Sequence, residues 1–146
     1  MRPWIVVVAA LVAGWGAAAG SADREVGKAD CVGWGLNSAY GRMFDPASVE
    51  TVRGQVMAVE LVNPRKGMAC GVCLELRTEQ ETLHVHLGPR GYVARHTGRL
   101  APEDTIEVTG SRVLFKGEPT LIATSFRVGN ETVVLRSPRG VPAWGP

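Results

Sequence analysis

The chain has 146 residues, 45% of them hydrophobic and 21% charged, with a formal net charge of +2 and three cysteines. Once an export segment is set aside, about 125 residues remain, enough for one domain with a modest core and too few for a second. Its basic residues are scattered, which excludes strong nucleic-acid binding. Three cysteines are too few for a disulfide framework, and the odd count leaves at least one of Cys31, Cys70 and Cys73 unpaired.

Arg2 precedes an apolar run from Trp4 to Val12, and small residues follow as far as Ser21-Ala22 without one acidic side chain. A basic start, an apolar centre and the small pair Ala17 and Ala19 are the marks of a signal peptide cut just before Gly20. Left uncleaved, residues 3 to 20 would span about 27 Å, marginal for a hydrocarbon core of about 30 Å. Residues 1 to 22 are therefore expected to be a signal peptide or a membrane anchor. In both cases the rest of the chain is expected in the periplasm or anchored facing it, and loss of Arg2 lowers the formal charge from +2 to +1.

Residues 23 to 48 mix charged residues, Gly33, Gly35, Gly41 and Pro46 with Trp34, Tyr40 and Phe44, and follow neither a helical nor a strand period. They are expected to form an irregular arm whose rings pack on the following domain or stack on a ligand. Asp45-Pro46-Ala47-Ser48 reads as a turn. From Val49 the pattern is strand-like: Val52, Gly54 and Val56 share one parity and Val59 and Leu61 the other, so a bulge is expected near Met57-Ala58. Asn63-Pro64-Arg65-Lys66-Gly67 turns into a second strand with Val72, Leu74 and Leu76 on one face. In the third, Leu83, Val85 and Leu87 point inward and His84 and His86 outward, before Gly88-Pro89 stops it. Residues 90 to 99 suit a short helix closed by Gly98. A fourth strand over residues 104 to 115 bends at Gly110, the Lys116-Gly117-Glu118-Pro119 connection leads to a fifth over residues 120 to 128, and residues 132 to 136 form the last. Asn130-Glu131-Thr132 has the form of a glycosylation sequon but reads as a turn. Residues 137 to 146 are an irregular Pro/Gly-rich tail.

This order predicts an all-β domain with one short helix over residues 49 to 136: a five- to six-stranded antiparallel barrel of the oligonucleotide/oligosaccharide-binding (OB) type. The expected core holds Val52, Val56, Leu74, Leu76, Leu83, Val85, Ile106, Val108, Leu121 and Ile122. Such a barrel does not name its ligand.

Gly33-Trp34-Gly35, Ser38, Tyr40, Arg42, Asp45-Pro46, Val49-Glu50-Thr51-Val52, Gly54, Val85-His86-Leu87-Gly88-Pro89 and Val108-Thr109-Gly110-Ser111-Arg112-Val113 resemble small exported bacterial OB-fold proteins. The best-described branch that the chain resembles is that of the magnetosome protein MamS, a membrane-associated protein linked to growth of magnetite crystals. The resemblance implies a magnetosome membrane location and other membrane or periplasmic magnetosome proteins as partners. It brings no catalytic residues.

Cys70-Gly71-Val72-Cys73 lacks the histidine that covalent haem attachment needs, since Leu74 follows, and it opens a strand, not the helix of a thioredoxin-like redox pair. Plain structural cysteines, a local disulfide and metal or redox work all stay open. Residues three apart on a regular strand face opposite sides, so a Cys70–Cys73 disulfide needs an irregular Gly71 region. His84 and His86, two apart on a strand, project from one face about 6.6 to 6.8 Å apart. If Thr78-Glu79-Gln80-Glu81 is a hairpin loop, Glu75 lies opposite His84 and Cys73 opposite His86. The set Cys73, Glu75, His84 and His86 then forms one outward patch suited to iron, copper or zinc. Metal binding there is expected to weaken below about pH 6 as histidine protonates, and exposed histidines are expected to be removable at little cost in stability.

No Ser-His-Asp set, paired catalytic carboxylates or phosphate loop can be placed, so no catalytic residue is expected. The expected function is that of a non-catalytic accessory protein outside the inner membrane, involved in magnetite crystal growth if the resemblance holds. The rival is a periplasmic small-ligand or transition-metal binding module.

Overall fold

A computed structural model describes residues 28–96 and 100–145, so the export segment, and Gly98 as a helix stop, lie outside the described residues. Alternating side chains and turn residues produce six strands: β1 (Val49–Val62), β2 (Gly71–Arg77), β3 (Thr82–Pro89), β4 (Thr105–Phe115), β5 (Glu118–Val128) and β6 (Glu131–Val134). One helix, α1 (Arg90–His96), sits between β3 and β4. Neighbours run β3-β2-β1-β4-β5-β6, and a further β3–β5 pairing closes the first five strands into a barrel, leaving β6 as an added strand on β5. This is the OB arrangement, helix position included.

The antiparallel expectation needs one correction. Every ladder is antiparallel except the closing seam, where His84, Val85 and His86 run parallel to Thr120, Leu121 and Ile122. Strand periodicity shows which residues face inward, whereas the direction of a seam between strands far apart in sequence depends on how the barrel shuts.

β1 explains why one strand can serve both halves. Residues 49 to 55 pair with β4 and residues 55 to 62 with β2, and the register shifts between Val56 and Ala58, where the hydrophobic parity switches. Such a bulge bends the strand. At Gly54 a side chain would press on the Arg77 carbonyl oxygen, 2.6 Å from where its Cβ would lie. A second shift falls between Thr109 and Gly110.

The barrel interior holds Val56, Val72, Leu74, Leu76, Leu83, Val85, Leu87, Ile106, Val108, Leu121, Ala123 and Phe126, with Val93 and Leu135 closing its ends and Val52 packed at the margin. A second cluster lies outside the wall: Trp34, Tyr40, Met68 and Ile122 are buried together, and Phe44 and Phe115 pack against them. Leu121 and Ile122 thus serve opposite faces of β5. The arm contains short 3-10 turns at Lys28–Cys31, Gly41–Met43 and Pro46–Ser48, the last opened by the Asp45 side chain accepting from the Ala47 amide. Among the described residues no helix is long and apolar enough to cross a membrane.

Candidate functional site on the roofed face of the barrel

The hairpin register is the one that the turn chemistry predicts. Thr78 binds its loop through the Glu81 carbonyl, Arg77 pairs with Thr82, Glu75 with His84 and Cys73 with His86. The four side chains therefore do share one outer face of β2 and β3. What that face meets is different from the expectation of an open patch: Cys73 and His86 are buried, at 4% and 5% exposure.

The arm covers them. Trp34 lies against Gly71, where a methyl group would collide with the indole, and its Nε1 donates to the Ala69 carbonyl at 2.9 Å. Beside it, Tyr40 packs edge-on to Trp34 and stacks on His86, with ring centroids 5.7 Å apart. Tyr40 Oη and His86 Nδ1 share a hydrogen bond of 2.8 Å. Phe115, from the end of β4, meets both rings edge-on.

Beyond this roof a cleft of about 460 Å³ opens, lined by Cys73, His84 and His86 from the barrel wall. Glu60, Val62, Asn63 and Pro64 come from the end of β1 and its loop, and Phe115, Lys116, Glu118 and Thr120 from the β4–β5 connection. OB barrels use this strand face and these two loops to hold ligands. Glu75 does not line the cleft. His84 Nε2 instead meets Glu118 Oε1 at 2.7 Å, so the carboxylate beside it comes from β5. Glu118 was within reach of sequence reasoning only as part of a tight turn; knowledge that the β4–β5 turn borders the ligand face would have found it.

Burial sets the chemistry of the two covered groups. It is the main reason that the His86 imidazole is pushed down to about 4, assisted by the positive charges of Arg136, His84 and Lys116. It also pushes the Cys73 thiol up to about 12, with Glu60 next in effect. At neutral pH the site presents a neutral imidazole and a protonated thiol, a weak base and a poor nucleophile. Burial likewise raises the Tyr40 phenol.

A buried cation supports the roof from behind. Arg136 is 5% exposed, and its Nη1 donates to the carbonyls of Leu87 at 3.2 Å and Ala123 at 2.5 Å. Its guanidinium stacks on Trp144, 4.8 Å from the ring centroid, while Trp144 Nε1 donates to the Trp34 carbonyl. Arm, tail and barrel are thereby joined through Arg136 and Trp144.

A family model, the MamS/MamX magnetosome protein family, matches residues 48–133. The chain belongs to the MamS/MamX magnetosome protein family. No curated protein is significantly similar to it. In this MamS/MamX protein the matched span holds the cleft residues from Glu60 to Thr120, whereas Trp34, Tyr40, Arg136 and Trp144 of the roof lie outside it.

Among the described residues no group of three or more His, Cys, Asp or Glu side chains stands ready to hold a metal ion. His86 is committed to Tyr40 and His84 to Glu118. The expectation that both histidines are exposed and dispensable for stability is corrected for His86, because its removal would orphan the buried Tyr40 hydroxyl.

Proposed function

We propose that this magnetosome-family protein is a non-catalytic accessory protein, held outside the inner membrane, that contributes to the growth of magnetite crystals alongside other magnetosome proteins. The observation that carries the reading is the family match over the barrel. The covered part of that face is consistent with the non-catalytic reading, since burial holds the His86 imidazole and the Cys73 thiol uncharged at neutral pH. Deleting the gene in the host is expected to give smaller crystals in electron micrographs, restored by a plasmid copy. Crystals of unchanged size would remove the growth role.

One observation favours the rival reading of a small-ligand or transition-metal module: two imidazoles and a thiol line one cleft at the ligand face. A metal could be taken only if His84 released Glu118, because the donors are not yet gathered. Calorimetric titration of the full chain with zinc, copper and ferrous iron tests this. Binding that falls at least about tenfold in His84→Ala, a loss of about 1.4 kcal/mol, supports a metal module. Equal affinities for wild type and variant, or no binding at all, eliminate it. His84 is the better target because its side chain is 38% exposed, so its removal leaves the core intact.

A further inference from the structure

We infer that Cys31 and Cys70 are the partners of an arm-to-barrel disulfide, a site of oxidation at the edge of the roof. All three cysteines are free thiols in the structure, and Cys31 and Cys70 are the two that are not fully buried. Their placement follows from the contacts on either side of each. Val32 accepts from the Ala69 amide at 2.8 Å, and the next pair outward, Gly33 and Met68, is in such close contact that a Cβ on Gly33 would lie 3.2 Å from the Met68 Cα. These contacts lay the turn that Cys31 closes against the segment before β2, and Cys31 and Cys70 are each the next residue in the chain from the Val32–Ala69 hydrogen bond. An independent pair of contacts leads to the same place. Cys70 accepts from the Arg90 amide at 2.9 Å, and the neighbouring Gly91 lies against Asp30, with 3.2 Å between the Asp30 Cβ and an added Gly91 Cβ. Asp30 and Val32 flank Cys31 on the arm, and they meet Gly91, next to the Arg90 held by the Cys70 carbonyl, and Ala69, next to Cys70, on the barrel.

The third cysteine is the less accessible partner. Cys73 is buried at 4% exposure beneath Trp34 and Tyr40, whereas Cys31 and Cys70 are both partly exposed and open to a small oxidant. The Trp34 indole lies on Gly71, two residues before Cys73.

The oxidant is a small disulfide such as oxidised glutathione. One protein thiolate attacks it, forming a mixed disulfide and releasing one glutathione thiolate, which takes up a proton. The second protein thiolate then attacks the protein sulfur of the mixed disulfide and releases the other glutathione. Two thiols are oxidised, one small disulfide is reduced, and no other reagent is needed. The bond would tie the arm that carries Trp34 and Tyr40 to the barrel, so that the roof over His86 and Cys73 could not lift. Its formation in the cell rests on the proposed exported location, where such bonds persist; its formation in solution does not.

The test uses the purified full chain, incubated with oxidised glutathione near pH 8 and digested without reduction. The expected product is one peptide pair linked through Cys31 and Cys70, with Cys73 alkylated only after unfolding. Cys31→Ser and Cys70→Ser should each abolish the link while leaving the circular dichroism of the barrel unchanged. Oxidation should also slow proteolytic cleavage of the arm several-fold in the wild type and not in the variants. A Cys70–Cys73 or Cys31–Cys73 link, three free thiols, or glutathione adducts alone would overturn the assignment. A link formed in solution but absent from protein extracted from cells under thiol trapping would count against the exported location instead.

Discussion

Replacing Trp34 with alanine is expected to lower the unfolding free energy by about 3–5 kcal/mol, the usual cost of emptying the site of a buried indole. The side chain is 1% exposed and joins four parts of the chain: it faces Gly71, meets Tyr40 and Trp144 edge-on, and donates to Ala69, next to the Met68 of its own buried cluster. A domain of this size is stable by only about 5–15 kcal/mol, so the loss is a large share of the total. Thermal unfolding should show it as a fall of roughly 10 °C or more. Because the interior cluster of the barrel does not include Trp34, its strands should still form, and the loss should centre on the arm. Cys73 then reports the change: in the native wild type its buried, protonated thiol should react slowly with an alkylating agent, and in Trp34→Ala faster. An unchanged melting temperature together with unchanged Cys73 labelling would show that the arm does not hold the roof.

The second large effect is loss of stability in acid. Burial first, and then the positive Arg136, His84 and Lys116, hold the His86 imidazole at about 4, below its ordinary value of about 6.5. The sign follows from proton counting. Above about pH 6.5 the ring is neutral both folded and unfolded, and contributes no pH dependence. Between about 6.5 and 4 the unfolded chain binds a proton that the folded chain refuses, so stability drops as pH falls, by about 3 kcal/mol in all. Below about pH 4 both forms carry the proton and this contribution levels off. The double variant Tyr40→Phe with His86→Leu removes both partners of the buried hydrogen bond, leaving no orphan. Urea unfolding at several pH values should show the slope between pH 6.5 and 4 flattened in the variant. The Glu81 carboxylate, held below its ordinary value by its hydrogen bond to Arg112, should keep its own acid dependence in both proteins. Parallel slopes would mean that His86 is already protonated under its roof.

Much of the barrel was legible without coordinates. Alternation placed Val56, Leu74, Leu76, Leu83, Val85, Ile106 and Val108 inside. The parity switch at Met57-Ala58 located the bulge, and a four-residue loop after Arg77 set the β2–β3 register to the residue. These features are local: a strand shows its buried face every second residue, and a short loop leaves its two strands one register. The family match covers the same stretch of chain, residues 48–133.

Local pattern assigns a residue to a face and is silent about what covers that face. Cys73 and His86 looked outward and do, yet the outward side is roofed by Trp34 and Tyr40, 46 residues before His86 in the case of the tyrosine. The carboxylate beside His84 proved to be Glu118, because the closing seam brings β5 alongside β3, and that seam is parallel. Arg136, read as the end of a strand, became a buried cation between two carbonyls and an indole. By itself, then, the sequence determined the strands, their faces and the hairpin register, since these depend on neighbours a few residues apart. Tertiary structure alone decided which polar groups are buried, and so which are neutral, because desolvation depends on segments that meet only when the barrel closes and the arm and tail fold across it.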